Sequence, residues 1–422
     1  MRPQAVKGTH DILSDQAPLW RLIEETVRRT LERAGAQELR TPVFEHSEVF
    51  TKAAGESSDL MVQKEMYTLT DRGERQLTLR PEFTPGTLRA YIQHGMHTLP
   101  SPVRLWSMGP VFRAENVQRG RYRQFHQVNF EVLGSDSAVI DAETISLLYD
   151  TLANLGLKGL SVRLGSVGDP QDRQAYNAYL RDQLEPLAGR LSATSQERLR
   201  LNPMRLLDAK DPGDQELLAG LKRPLDFLND DARAHFDRVA AHLEAWQIPF
   251  DLDPAIVRGL DYYRRTAFEV HHPGIGAQSA LSGGGRYDGL VENLGGPATP
   301  AIGWAFGVER VLDAMAVDGI TGPSRAAPSI HLVPLDEDGI AEVATMARRL
   351  RQDVSASYTP VRRNPGKGLR DADRSGATYA GLRGDRERED RVWQVRHLES
   401  GVQHAVPEGD LPSWLAATEA TS

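Results

Sequence analysis

The segment Phe125–Leu133 constrains the fold more than any other stretch of this chain. Gln127, Asn129 and Glu131 share one face by two-residue alternation, and Val128, Phe130 and Val132 share the other. This is a strand with one face in a core. The polar row admits two readings: a solvated sheet surface, or the wall of a polar site. The preceding loop, Ala114–Gln124, carries Arg119, Arg121 and Arg123 around Gly120, and Val103–Phe112 before it reads as a second strand. An arginine-rich loop beside amide and carboxylate groups suits a polyanion meeting a small ammonium-bearing ligand.

The rest of the chain is organised around these strands. Leu19, Ile23, Val27 and Leu31 recur every four residues between Ser14-Asp15 with Pro18 and Gly35, which predicts an amphipathic helix. Leu39–Phe50 reads as extended, broken at Pro42, and turns into another helix. Glu65–Leu79 reads as a hairpin around Arg72-Gly73. Asp141–Leu155 is a helix with an apolar face at Ile145, Leu148, Leu152 and Leu155. From about 170 to 250 the pattern becomes helical, an insertion in a β-rich body. Strand patterning returns at Thr266–His271 and Ala277–Ser282, and Gly283-Gly284-Gly285 follows. Ala301–Phe306 runs into a helix from about Val308. Residues 322–328 read as a linker. The last ~95 residues alternate strand and helix, as an α/β module does: 329–335, a helix Gly339–Arg351, 355–360, a helix near Leu369–Arg374, and 377–382. The expected domains are 1–325, containing the insertion 170–250, and 326–422.

Composition excludes some chemistries. Among 422 residues there is no cysteine, so disulfides, thiolate nucleophiles and Cys-ligated zinc are ruled out. The twelve histidines show no H-E-x-x-H or similar spacing, so no metal site is expected. Met1–Ser14 lacks the apolar core of a secretory signal, and no run approaches the ~18 apolar residues that span a membrane. The expectation is a cytoplasmic protein without a membrane partner. A net charge of -8 argues against non-specific binding to DNA or RNA, so any nucleic-acid contact must come from a local basic patch.

Several short segments carry groups suited to a site, each with a plainer explanation beside it. Arg113 and Glu115 follow the first strand; a guanidinium there clamps a phosphate or makes a surface ion pair. Glu82 and Thr84, in Arg80-Pro81-Glu82-Phe83-Thr84-Pro85, face the same way in extended chain and suit an ammonium, or they cap the helix that follows. Arg258-Gly259-Leu260-Asp261-Tyr262-Tyr263 combines an arginine with two tyrosines, where the plain reading is core aromatics. Gly283–Gly289, with Tyr287, admits close approach of a ligand to backbone, or is a wide turn. It is neither a Walker A loop nor a dinucleotide fingerprint. Arg310 sits in a first helical turn, against the helix dipole; that cost suits a stacking or phosphate role, while a salt bridge to a neighbour is the commoner explanation.

The order of these segments resembles the histidyl-tRNA synthetases, class II aminoacyl-tRNA synthetases, along nearly the whole chain. Lys7-Gly8-Thr9-His10-Asp11 is similar to the family's opening, and 39–45 (LRTPVFE) resembles motif 1 with its dimer-interface proline at Pro42. Phe112–Glu131 resembles motif 2 and Gly303–Arg310 motif 3. Arg258–Glu269 (RGLDYYRRTAFE) and Gly283–Leu290 (GGGRYDGL) resemble stretches particular to the histidine enzymes, and Asn202–Pro212 resembles their insertion.

The resemblance implies an α+β fold: an antiparallel catalytic sheet flanked by helices, a helical insertion, and a C-terminal α/β anticodon-binding domain. It implies ATP-dependent activation of L-histidine to the adenylate, then transfer to tRNA(His), by a homodimer. Arg113 and Arg258 would clamp the α-phosphate, Arg258 standing where other class II enzymes use a metal. Glu115 and Arg310 would serve ATP, with Mg2+ carried on its phosphates. Glu82, Thr84 and Gln127 would surround the substrate ammonium. Glu131 and Tyr263 would bond the imidazole nitrogens, with Tyr262 and Tyr287 shaping the pocket. Gln118, Arg119, Arg121 and Arg123 would meet the acceptor stem. Phe83 stands where the family has glycine and is expected to tighten the pocket floor, and the charged turn 383–390 departs from a milder one. Two other readings compete: a non-catalytic, synthetase-like regulatory subunit of ATP phosphoribosyltransferase, and a class II enzyme for threonine, proline or glycine. Retention of Arg113, Arg258, Arg310 and a C-terminal α/β domain opposes the first. The histidine-type stretches and the lack of Cys/His zinc ligands oppose the second.

Overall fold

A computed structural model describes residues 3–54, 65–117, 120–256, 263–322 and 328–419. The chain divides into two compact units, 1–322 and 323–422.

In the first unit the strands are β1 (Gln37–Glu38), β2 (Phe44–His46), β3 (Tyr67–Thr70), β4 (Gln76–Leu79), β5 (Val103–Phe112), β6 (Gln124–Leu133), β7 (Ser161–Ser166), β8 (Phe250–Leu252), β9 (Arg264–His271), β10 (Ala280–Arg286) and β11 (Ala301–Gly307). Eight form one sheet in the order β1-β5-β6-β11-β10-β9-β7-β8, while β2-β4-β3 make a small sheet of their own. The six central strands pair antiparallel. Only the edge strands β1 and β8 run parallel to their neighbours.

The alternation in β6 decides what each sheet face does. Val128, Phe130 and Val132 join Phe268, Trp304 and Phe306 in the main core. The helix Ala138–Asn154 covers this face with Ile145, Leu148 and Leu152, and the helix Ala17–Arg33 adds Ile23, Val27 and Leu31. That second helix begins at Ala17, with Gln16 at its N-cap and Pro18 in its first turn, and not at Ser14-Asp15. The opposite face carries Leu105 and Leu133, packed with Leu88 and Tyr91 of the helix Thr84–Gln93, toward one end and a cavity toward the other.

The helical stretch after residue 170 divides in its packing. Tyr176, Leu180, Leu184, Leu199 and Leu206 build a small core of their own. The helix Asp230–Ala245 instead places Phe236, Val239 and Leu243 in the main core.

Gly283–Gly285 do not form a turn. They lie inside β10, which starts at Ala280 and continues to Arg286. A Cβ on Gly285 would stand 2.7 Å from both the Thr266 carbonyl and Tyr263 Cδ1. Close strand packing, not a bend, explains Gly284 and Gly285.

Beside them an ion network binds four elements. Asp141 and Arg286 are both buried. Arg286 Nη2 pairs with Asp141 Oδ1, and its Nη1 donates to Asp288 Oδ1 at 2.9 Å and to the Ser135 carbonyl at 3.0 Å. Asp141 Oδ2 also meets His235 Nε2 at 2.8 Å and accepts from the Thr266 hydroxyl at 2.5 Å. Burial pushes the Asp141 carboxyl up, but hydrogen bonds from His235 and Arg286 and the arginine charge outweigh it and leave it below its usual value. A lowered carboxyl adds stability that is present above the unfolded-state value and is lost as pH falls through the folded one. Arg286→Met is expected to cost about 3–5 kcal/mol, because it strands a buried charge. The urea midpoint of the first unit should fall at neutral pH, and the deficit should shrink below about pH 4 as Asp141 is protonated in both states. An unchanged midpoint at pH 7 counts against the network.

In the second unit β12 (Ile330–Pro334), β13 (Ala356–Tyr358), β14 (Tyr379–Arg383), β15 (Val392–His397) and β16 (Gln403–Pro407) form a sheet in the order β13-β12-β14-β15-β16. Its first three strands are parallel and the last two antiparallel. One helix starts at Pro365, capped by Asn364, earlier than the sequence indicates. The charged stretch after β14 is a short helix, Asp385–Glu389, not a plain turn. Arg388 pairs with Asp336 at 2.7 Å and Asp385 at 2.5 Å. Buried Arg383 pairs with Glu342 at 2.6 Å and Glu408 at 3.0 Å, 5.2 Å from the Trp393 ring. The strands β15 and β16 and the helix Leu411–Glu419 complete the unit.

Candidate active site

A cavity of about 510 Å³ opens over the polar face of β6. Its floor is made of small residues on neighbouring strands. Gly303, Ala305 and Gly307 on β11 pair with Glu131, Asn129 and Gln127 on β6, and Gly283 on β10 pairs with Ala305 and with Glu269 on β9. Two-residue spacing of small side chains sinks the floor to the backbone, so a flat ligand can lie on it.

Glu131 stands at one end, 1 % exposed. Its Oε1 accepts from the Thr84 hydroxyl at 2.6 Å and from Asn129 Nδ2 at 2.9 Å. Its Oε2 accepts from the Tyr287 hydroxyl. Burial drives the Glu131 carboxyl up, the three donors pull it back, and the charge of Glu82 pushes it up again; it settles at about 7. Burial and the neighbouring Glu131 charge hold the Tyr287 phenol well above its usual value, so it remains a donor. Tyr263 lines the same cavity. A Cβ on Gly303 would overlap Glu131 Oε2 and stand 2.5 Å from the Phe130 carbonyl. Gly303→Ala is therefore expected to displace Glu131 and cost about 1–3 kcal/mol. Chemical denaturation checks this, and a variant as stable as the parent contradicts it.

Glu82 and Gln127 lie between this carboxylate and the opposite end. Burial raises the Glu82 carboxyl while Arg113 draws it down. Buried Gln127 Oε1 has no hydrogen-bond partner among the described residues. An orphaned acceptor beside a carboxylate calls for a cationic N–H donor.

Guanidinium groups hold the other end. Arg113 Nε donates to the Pro81 carbonyl at 3.0 Å and its guanidinium lies 5.4 Å from the Phe125 ring centre. Arg310 Nη1 donates to the Ala280 carbonyl at 2.8 Å. Burial, then the nearby Arg121 charge, lowers the Arg310 pKa, with Asp313, Glu269 and Glu115 opposing. Arg121 is held by Glu115 at 3.2 Å, and half-buried Arg123 donates to the Glu115 carbonyl at 3.5 Å.

The family model described as Histidyl-tRNA synthetase matches residues 8–311, and an Anticodon binding domain model matches 329–418. The chain belongs to the histidyl-tRNA synthetase family. It is 51% identical over 417 residues to the histidine–tRNA ligase of Thermus thermophilus, covering 98% of this chain and 99% of the relative. It is 48% identical over 428 residues to that of Deinococcus radiodurans, covering 99% and 100%. The apo histidyl-tRNA synthetase structure from S. aureus superposes with a TM-score of 0.83 at 31% identity, over 98% of this chain and 100% of that one.

The synthetase motifs converge on this cavity in ways the sequence left open. Gly8 of the opening segment accepts at its carbonyl from the backbone N–H of Arg123 at 2.8 Å, and His10 packs on Tyr122 with ring centres 4.9 Å apart. Buried Arg80 ties motif 1 to β5, the strand that leads into motif 2: Nη1 donates to the Thr41 carbonyl at 2.9 Å and Nε to the Pro110 carbonyl at 2.8 Å. Phe83 does not tighten the pocket floor. It lies beneath Arg80, 4.2 Å from guanidinium to ring centre, and is not among the cavity-lining residues.

Two residues that sequence reasoning did not assign belong to the site. Asn129 was visible only as part of a polar row. Glu309 lines the cavity and accepts from the His126 backbone N–H at 2.9 Å, with His126 Nδ1 at 3.0 Å. Its signal was an acidic residue in a first helical turn. Gln118, Arg119, Arg258 and Tyr262 lie outside the described residues.

Proposed function

We propose that this chain is a histidine–tRNA ligase in which the cavity binds L-histidine at the Glu131 end and ATP at the Arg113–Arg310 end. The carrying observation is the pairing, in one cavity, of a buried carboxylate fixed by three donors with the guanidiniums of Arg113 and Arg310, each anchored by a backbone carbonyl.

The imidazole N–H meets Glu131 and the other ring nitrogen meets the Tyr263 hydroxyl, with Tyr262 beside it. The substrate ammonium lies toward Glu82, Thr84 and the orphaned Gln127 oxygen. A histidine carboxylate oxygen attacks the α-phosphorus, the bond to the bridging oxygen breaks, and pyrophosphate leaves. Arg113, with Arg258 from the opposite side, takes up the charge that spreads over the phosphoryl oxygens. Arg310 contacts adenine or the terminal phosphate. Glu115 and Glu269, both near Arg310, are hard oxygen donors suited to Mg2+, which neutralises phosphate charge when bound. In the second step the terminal adenosine hydroxyl of tRNA(His) attacks the adenylate carbonyl and AMP departs. Gln118, Arg119, Arg121 and Arg123 meet acceptor-stem phosphates, and the second unit reads the anticodon.

The reading includes a cytoplasmic homodimer, with domains at 1–325 and 326–422. Exposed Val43, Phe44 and Leu69 beside Pro42 offer apolar surface for a second copy. No helix of the described residues is long and apolar enough to cross a membrane.

The test is ATP–pyrophosphate exchange with each amino acid in turn. Exchange that depends on histidine alone supports the proposal. No exchange with histidine sinks it and favours the regulatory-subunit reading, which the match of 329–418 to an anticodon-binding domain already opposes.

A further inference from the structure

We propose that Asn129 is a positioning residue that decides which oxygen of Glu131 reads the amino-acid side chain. This rests on the histidine reading of the cavity.

A carboxylate oxygen has about two acceptor positions. On Glu131 Oε1 both are taken, by the Thr84 hydroxyl at 2.6 Å and Asn129 Nδ2 at 2.9 Å. Oε2 holds only the Tyr287 hydroxyl, and it lies over Gly303, where no Cβ blocks it. One acceptor position therefore remains on Oε2, beside Gly303, and both Glu131 and Gly303 line the cavity. Neutral imidazole offers one N–H and accepts at its other nitrogen, so it matches a single open acceptor.

Asn129 acts from behind. It is 1 % exposed and is not among the residues lining the cavity. Its amide orientation is fixed by three acceptors: Glu131 Oε1, the Thr84 hydroxyl oxygen at 3.3 Å and the Trp304 carbonyl at 3.4 Å. Its Oδ1 is buried with no partner among the described residues. Reversing the amide would set oxygen against those three acceptors.

Without Asn129, Oε1 regains a free acceptor and the carboxylate can turn. The titratable groups around Glu131 are Glu82, Tyr287 and, next to Tyr287, Tyr263 and Arg286. None of them replaces the lost donor on Oε1.

The experiment measures the histidine and ATP KM in pyrophosphate exchange from pH 6 to 8 for Asn129→Ala, Asn129→Asp and Glu131→Ala. Asn129→Ala should raise the histidine KM about tenfold, the loss of one hydrogen bond to a charged group. The ATP KM should stay within about twofold. The midpoint of the histidine KM profile should move up, since a donor that favours the ionised carboxylate is gone. Asn129→Asp, of the same size, should move it further by adding a second carboxylate. A parental histidine KM and midpoint in both variants overturns the proposal, as does an equal rise in both KM values. If Glu131→Ala raises the histidine KM while the Asn129 variants do not, only the role of Asn129 falls. If Glu131→Ala leaves that KM unchanged, the histidine reading falls too.

Discussion

Arg113→Ala lowers histidine-dependent pyrophosphate exchange by about two to three orders of magnitude, the expected loss for one preorganised group facing transition-state charge. The effect should fall on kcat, because phosphoryl charge grows as the bond to pyrophosphate lengthens. Arg113 is well placed for this. Its Nε is fixed by the Pro81 carbonyl at 3.0 Å, which leaves its terminal nitrogens for a ligand. The fixing carbonyl is itself held, since Arg80 ties that segment to Thr41 and Pro110. Lysine at 113 should not restore the rate, because one ammonium cannot make the paired donation of a guanidinium. Arg258→Ala is expected to be at least as severe, as the family resemblance places it across the same phosphate. Steady-state exchange kinetics check both. A change confined to the ATP KM contradicts a transition-state role.

Glu131→Ala raises the histidine KM about a hundredfold or more while the ATP KM stays near the parent value. A buried site built to pair with an N–H loses most when that partner is gone. The parent enzyme should also show a pH dependence. With its carboxyl at about 7, the ionised share of Glu131 rises about tenfold between pH 6 and pH 8. The ionised form accepts the imidazole N–H, so the histidine KM should fall as pH rises through about 7. Glu131→Gln should keep only the part owed to the substrate's own imidazole. Equal losses toward histidine and ATP, or the same pH profile in parent and variant, contradict this assignment.

Much of this site was legible because local pattern and local chemistry agreed. The alternation of Gln127, Asn129 and Glu131 gave the correct face of β6. Arg310 was placed in a first helical turn, where it is found. Glycines misled where side-chain pattern is the only signal. Gly283–Gly285 have no side chains to alternate, so a wide turn stayed open as a reading where the structure has a strand interior. In the second unit charged residues interrupt the periodicity, and β15, β16 and the helix Asp385–Glu389 went unread. Phe83 was expected to tighten the pocket floor because the family has glycine there, but its side chain lies against Arg80 instead.

The sequence by itself determined which faces are polar, where the small residues fall, and which family the motifs follow. Those properties depend on residues a few positions apart, and the backbone period carries them. Only the tertiary structure decided that Glu131 takes donors from Thr84, Asn129 and Tyr287, which lie 47, 2 and 156 positions away. The carboxyl value of about 7 and the one open acceptor follow from that meeting. Burial and hydrogen bonding depend on distance in space, and alternation along a strand fixes a direction without fixing what waits there.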